Sequence, residues 1–247
     1  MIAKAKSKFI KSLQVKKYRV EEQCFVVEGA KSISELLASD FEILTIIGTS
    51  SYLLENRKQI RSQIEIIEVN TEDLSGLGSF QTNQDAMAVA RMKLNQPGEV
   101  PPIGYGLVLD NIRDPGNLGT IIRIADWYGI QNIVASDQSA DFYNPKVISA
   151  SMGSFCRVNI FYTSLSIYLK QNKVTLYGTF LDGHNVHHVN FEKTGLIVIG
   201  NEAHGISSEV EQFIDHRISI PRVGKAESLN AAVATAIVLD NVIRLQK

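Results

Sequence analysis

Cysteine is nearly missing from this chain: Cys24 and Cys156 are the only two in 247 residues, and neither has a neighbouring ligand pattern. A disulfide framework and a cysteine-based metal site are thereby excluded, and a reducing, cytoplasmic setting is expected. No apolar run approaches the ~20 residues a membrane-spanning helix needs, so no membrane partner is expected. The opening residues contain no apolar core followed by a small-residue cleavage site, which argues against a secretory leader. Charge of one sign is also lacking, with 25 Lys and Arg against 26 Asp and Glu. No global basic field announces a polyanion, so any such site must come from local placement. Three signatures are absent as well: GxGxxG, GxxxxGK[ST] and the GxSxG elbow. Dinucleotide, nucleoside-triphosphate and serine-hydrolase readings are disfavoured accordingly.

What is present is ordinary soluble composition, 45% hydrophobic and 21% charged, with local order in its placement. Lys4, Lys6, Lys8, Lys11, Lys16, Lys17 and Arg19 crowd the first twenty residues, where no acid occurs. That cluster reads either as a nucleic-acid-facing patch or as a solvated helix. Next, short β-branched runs alternate with helical stretches: FVVEG, FEILTIIG, IEIIEVN and DAMAVARM as strands, with helices over 30–39, 51–63 and 71–77. This is a small α/β unit over residues 1–92. Residues 93–104, KLNQPGEVPPIG, hold three of the six prolines and read as a linker. From 105 to 247 the strand-helix rhythm restarts, and its crossovers imply a mostly parallel sheet. The final helix, from Ser228 to about Leu245, is apolar nearly all round, so one face should pack on the sheet and the other on a second subunit.

Three stretches of the second half share one design: an apolar strand, a Gly- and Asn-rich turn, then a helix start. They are LDNIRDPGNLGTIIRIADWYG (109–129), IVIGNEAHGIS (197–207) and IPRVGKAESLNAAVATA (220–236). In open α/β sheets ligands bind beyond the carboxyl ends of strands, so these turns form the default site. Asp-Pro-Gly-Asn is a turn signature that places Asn117 near a helix cap. Arg123 sits among Ile121, Ile122, Ile124 and Ala125, where an unpaired guanidinium would be costly, so an anion partner is expected for it. Gly200 and Gly205 allow close approach of backbone to a ligand, and Glu202 adds a carboxylate at a strand end. Ser228 and Asn230 supply a hydroxyl and an amide at a helix start, which serve capping as readily as chemistry. His184, His187 and His188 lie beside Asp182-Gly183 and Asn185, a turn context that favours a solvated loop over a metal site.

Taken in order, NxxDPxNxGxxxR at 111–123, GNExxG at 200–205 and IPxxGxxxSLN at 220–230 resemble the three motifs of the SpoU (TrmH-like) class of SPOUT RNA methyltransferases. PKVISASMGS (145–154) looks like a further family segment, and the first domain is similar to the ribosomal-protein-like substrate-binding module fused to such enzymes. The resemblance implies S-adenosylmethionine as methyl donor, a ribose 2'-hydroxyl of RNA as acceptor, a homodimer, and a trefoil knot in the C-terminal domain. Position by position, it implies that Thr179, Gly200, Ile220 and Leu229 line the cofactor, while Asn117, Arg123, Glu202, Ser228 and Asn230 surround the methyl acceptor; no metal is implied. Arg123 then becomes a clamp for a phosphate, a role that suits a bidentate cation better than that of general base. Two departures stand out. Ala231-Ala232-Val233 replaces the family's Val-Ser-Val, and QTNQDAMAV (81–89) lacks a Pro-Gln-Gly turn. Ribosomal RNA is the expected substrate, with transfer RNA, a non-catalytic RNA-binding protein of the same fold, and base methylation as the competing readings.

Overall fold

The computed structural model describes residues 2–79, 85–98 and 104–244. The chain divides into two compact units: Met1–Leu94 with Asp141–Cys156, and Asn95–Ala140 with Arg157–Lys247.

The first unit is built on a four-stranded mixed sheet in the order β1-β4-β2-β3, from β1 (Cys24–Glu28), β2 (Ile43–Gly48), β3 (Glu65–Glu68) and β4 (Ala86–Arg91). β4 runs antiparallel to both β1 and β2, whereas β2 and β3 are parallel. Continuous burial of Cys24–Val27 and Ala86–Ala90 explains why these runs read as apolar throughout: both faces of the sheet are covered. The basic opening folds as α1 (Lys4–Ser12) and α2 (Lys16–Glu22), and Ile10 and Leu13 join Val26, Ile47, Met87 and Val89 in the core. α3 (Ala30–Leu37) packs Ile33 and Leu36 inward. α4 (Ser50–Glu55) is shorter than expected, because the Asn56 side chain donates to the Tyr52 carbonyl and the polar residues after it turn instead. α5 (Thr71–Ser75) is capped by Asn70.

Residues 141–156 stand in the second half of the chain yet pack within this first unit, as α7 (Pro145–Ser151) and a 3-10 turn at Ser154–Cys156. Aromatic contacts fix them, with Phe25 4.7 Å from Tyr143 and 6.1 Å from Phe155 between ring centroids.

The second unit holds a six-stranded sheet, β10-β8-β9-β5-β6-β7, with β5 (Gly104–Leu109), β6 (Asn132–Ser136), β7 (Asn159–Thr163), β8 (Thr175–Asn185), β9 (Thr194–Ile199) and β10 (His216–Ser219). Every neighbouring pair is parallel, as the crossovers imply. α6 (Pro115–Trp127), α8 (Leu165–Gln171), α9 (Ser208–Glu211) and α10 (Ala231–Arg244) complete it. α6 starts within the Asp-Pro-Gly-Asn stretch read as a turn: Asp114 caps it by accepting from the Asn117 N–H, and Pro115 takes a first-turn position where its missing N–H is harmless. α10 starts at Ala231 rather than Ser228; residues beyond Arg244 lie outside the described ones. Its Ala232, Val238, Leu239 and Val242 are buried within the chain, but Val233 is exposed.

Of the stretch read as a linker, residues 99–103 lie outside the described residues, as do 81–84 of the departure from the family turn. Before that gap the chain is tied down. Asn95 exchanges two hydrogen bonds with the backbone of Tyr162, and Asn159 donates to the Gln96 carbonyl, so this part lies along β7.

Candidate active site

β10, β8, β9 and β5 are adjacent, and parallel pairing brings their carboxyl ends to one edge. Leu109 pairs with Ile199 and Gly178 with Val198, so the turns after β5 and β9 leave the sheet side by side. The three candidate loops therefore share an edge, as the sequence pattern suggests.

Hydrogen bonds knit them. Asn117, in the first turn of α6, donates from Nδ2 to Glu202 Oε1 at 2.5 Å. Its Oδ1 accepts from Asn230 Nδ2 at 2.8 Å. Asn230 in turn accepts at Oδ1 from the Ala232 and Val233 N–H groups, so one side chain both caps α10 and reaches the first loop. Asn230 thus caps α10 as the sequence suggests, and the order Glu202–Asn117–Asn230 forms a continuous polar chain across all three loops.

A brace that the sequence reading overlooked lies beneath it. Asp110, only 2% exposed, accepts from the Ser207 N–H at 2.7 Å and from Asn111 Nδ2 at 2.9 Å. Asn201 donates from Nδ2 to the Asn111 carbonyl, and its Oδ1 accepts from the Ala203 and His204 N–H groups. Asn111 adopts a left-handed φ of 60°, a conformation Asn tolerates better than most residues, and its N–H donates to Ser136 Oγ. The available signal was the run of Asp and Asn directly at two strand ends, where short polar side chains bond nearby backbone.

The glycines act somewhat differently from expectation. A Cβ on Gly200 would lie 2.3 Å from the Gly205 carbonyl carbon and 2.4 Å from the Ile206 nitrogen. The close approach that needs glycine there is the chain's own returning backbone, closed by reciprocal bonds between Asn201 and Gly205.

Thr179 sits just past the paired part of β8 and β9 and donates its hydroxyl to the Val198 carbonyl. Ile220 is half-buried at the end of β10, while residues 221–230 are all exposed, Val223 fully and Leu229 by 46%. Among the described residues, no backbone-to-backbone hydrogen bond engages residues 221–229. Ser228 lies in this run, exposed and without a hydrogen-bond partner among the described residues. Arg123 is also exposed: α6 turns Leu118, Ile121, Ile122 and Ala125 inward and leaves the guanidinium in solvent, with no ion pair among the described residues. The desolvation argument for an anion partner therefore does not hold within one chain, since this side chain is not buried. His187 Nδ1 lies 2.9 Å from Asn241 Oδ1, and among the described residues no group of three His, Cys, Asp or Glu could hold a metal.

The all-parallel six-stranded sheet, with its strand-end turns fastened by a Glu-Asn-Asn chain, matches the α/β fold of SpoU/SPOUT structures. The chain belongs to the SpoU rRNA Methylase family, whose model matches residues 105–240, and residues 4–88 match the MRM3-like substrate binding domain. Among its relatives, the Bacillus subtilis 23S rRNA (guanosine(2553)-2'-O)-methyltransferase RlmP is 29% identical over 93% of this chain and 92% of its own. A TrmH-family structure from Porphyromonas gingivalis is 35% identical and superposes with a TM-score of 0.88 over 99% of both chains. The AdoMet complex of the SpoU methyltransferase AviRb from Streptomyces viridochromogenes is 26% identical, with a TM-score of 0.89 over 99% of this chain and 98% of that one.

Proposed function

We propose that the protein transfers a methyl group from S-adenosylmethionine to a ribose 2'-hydroxyl of RNA, with ribosomal RNA as the substrate. The observation that carries the reading is the Glu202–Asn117–Asn230 chain, which joins all three family motifs at one sheet edge. Relatives named as 23S rRNA 2'-O-methyltransferases support the substrate class.

The residues present suit the cofactor. Apart from the Ala226 and Glu227 carbonyls, which accept from the Arg222 guanidinium, residues 221–229 leave backbone N–H and C=O groups without intrachain bonds among the described residues, and Leu229 and Val223 offer exposed aliphatic surface. Free backbone groups beside apolar side chains are what a purine edge and face require. Thr179, Gly200, Ile220 and Leu229 would hold the group, which supplies an electrophilic methyl on sulfur when bound. Asn117 and Asn230 hold the acceptor sugar, their amides already fixed by each other and by Glu202. Arg123, exposed and unpaired among the described residues, is free to grip an RNA phosphate with its planar fork. Ser228 lies two residues before Asn230 and offers a hydroxyl to the acceptor. Alignment of two reactants can supply roughly 7–11 kcal/mol of the barrier, so positioning groups suffice without a strong side-chain nucleophile.

The working form is a homodimer. Val223, Leu229, Val233 and the 84%-exposed Trp127 leave apolar side chains in solvent on the same elements that carry the site, and α6 packs on α10. A trefoil knot in residues 105–247, an RNA-binding domain over 1–92 joined by 93–104, and a cytoplasmic location complete the reading; family membership supports the first two, and two free cysteines the last. No described helix is long and apolar enough to cross a membrane.

Mass spectrometry of nucleosides from ribosomal and transfer RNA incubated with protein and labelled S-adenosylmethionine tests this directly. A labelled 2'-O-methylnucleoside from ribosomal RNA is expected. A methylated base, or no transfer to either RNA, would overturn the assignment.

A further inference from the structure

Outside the site, the strongest unexplained feature is the basic opening of the first unit. α1 buries Ile10 against the sheet core with Phe9 and Leu13 beside it. At 100° per residue, Lys4, Lys8 and Lys11 fall on the face opposite that apolar stripe, and all three are exposed. Lys16 and Lys17 follow on α2, exposed as well, with Tyr18 beside them 42% exposed and the Lys17 ammonium 5.9 Å from its ring. Lys6 and Arg19 are not part of this surface. Lys6 is taken up by Glu65 and Thr45, and Arg19 is buried on Asp141.

None of the five exposed lysines has an ion pair among the described residues. Neither helix has an acid in its first turn. A helix arranged for its own stability would place acids there, since the N-terminal dipole favours negative charge and disfavours lysine. Glu21 and Glu22 stand only at the far end of α2, exposed and without an ion pair among the described residues. The rest of the chain is acidic: beyond residue 20 it has 18 basic and 26 acidic residues. The first twenty residues therefore carry a local excess of positive charge against an acidic balance over the rest of the chain.

We propose that the α1–α2 face formed by Lys4, Lys8, Lys11, Lys16 and Lys17 is a docking surface for the phosphate backbone of RNA, with Tyr18 as a platform for an unpaired base. The proposal rests on the RNA reading above, but assigns a binding surface distinct from the strand-end site. The lysines are point charges on flexible stems, suited to following a backbone rather than reading base edges. An exposed aromatic ring among them matches recognition of single-stranded loops, whose unstacked bases have free faces.

The test is binding of the full-length protein to protein-free large-subunit ribosomal RNA, followed across salt concentration. Each single Lys→Gln variant should flatten the slope of log K against log salt by about one, and the variant with all five replaced should bind at least about tenfold more weakly at 0.1 M salt. Tyr18→Ala should weaken binding with the slope unchanged. Exposed Lys→Gln changes keep helix propensity nearly constant, and calorimetric unfolding checks that each variant is folded. Lys170→Gln with Lys173→Gln, exposed on the second unit, is the charge-matched control for Lys8→Gln with Lys11→Gln and should leave the slope near wild type. Unchanged affinity and slope in the five-fold variant, or equal loss in the control, would overturn the proposal. Wild-type binding with the expected slope but no methyl transfer would instead sink the proposed reaction and leave this face standing.

Discussion

Asn230 donates its side-chain amide to the Asn117 amide oxygen at 2.8 Å, joining residues 113 positions apart. Because the other end of Asn117 is spent on Glu202, the three residues should act as one unit. Asn117→Ala and Asn230→Ala should each lower kcat by about 100-fold, the scale of a misplacement near 1 Å. The double variant should be scarcely worse than either single one, since residues of one unit are strongly non-additive. Steady-state kinetics on the methylated RNA checks this, and additive losses would show that the link does not matter to turnover.

Arg123 gives a sharper separation of binding from chemistry. It is exposed and has no side-chain hydrogen bond or ion pair among the described residues, so Arg123→Ala should change stability by no more than about 0.5 kcal/mol. S-adenosylmethionine affinity should likewise stay near wild type, while turnover falls by orders of magnitude. Arg123→Lys should recover little, because an ammonium cannot grip a phosphate in two-point fashion. Full activity in the alanine variant would remove Arg123 from the site.

How far the sequence alone reaches differs between the sheet and the details that fasten it. The parallel strands were legible because burial on both faces leaves unbroken apolar runs such as Leu196–Ile199. Asn117, Glu202 and Asn230 were legible because each stands in a turn that follows or precedes such a run. Arg123 was misjudged on environment: four apolar neighbours in sequence hid the fact that helical geometry puts a residue at that position on the wet side. Asp110 was passed over because a carboxylate at the end of a buried strand looks the same in sequence whether solvated or bonded to backbone. Residues 141–156 were out of reach for a different reason. Their aromatic partners lie more than 100 positions away, and no local periodicity reports a contact at that distance.

The Asp110 brace should matter to both folding and turnover. Asp110→Asn keeps the shape but turns one accepting oxygen into a donor facing either the Ser207 N–H or Asn111 Nδ2. Leaving such a buried donor unmatched costs about 1–3 kcal/mol, readable as a lowered urea midpoint at pH 7. Since the same brace sets the loop that carries Glu202, kcat at saturating cofactor should fall too. A variant with wild-type kcat and reduced stability would limit the brace to a structural role.

Within the first unit, Arg19 is 1% exposed and donates from Nε and Nη2 to Asp141 Oδ2, while Nη1 holds the Leu13 and Gln14 carbonyls. Asp141→Ala would leave that buried guanidinium without its counter-charge, a loss of about 3–5 kcal/mol. Calorimetric unfolding should show it, and hydrogen exchange should quicken first at the α1–α2 turn that Arg19 fastens. An unshifted unfolding transition would mean that water compensates the guanidinium.

Tyr52 offers a change in the opposite direction. Its ring is buried, but its hydroxyl has no hydrogen-bond partner among the described residues, and burial pushes its pKa up to about 12 from the ordinary 10.0. Tyr52→Phe removes an unsatisfied polar group while keeping the ring, so stability at neutral pH should rise by about 1 kcal/mol. At high pH the sign follows from linkage. Below the ordinary tyrosine pKa both states hold the proton and stability is unaffected. Between about 10 and about 12 the unfolded chain ionises first and binds fewer protons than the folded one, so stability falls as pH rises. Tyr143, whose pKa burial also raises to about 12, contributes to the same alkaline loss. Urea midpoints measured from pH 8 upward should therefore decline through this window in wild type and less steeply in Tyr52→Phe; parallel curves would show that the Tyr52 hydroxyl is solvated in the folded state.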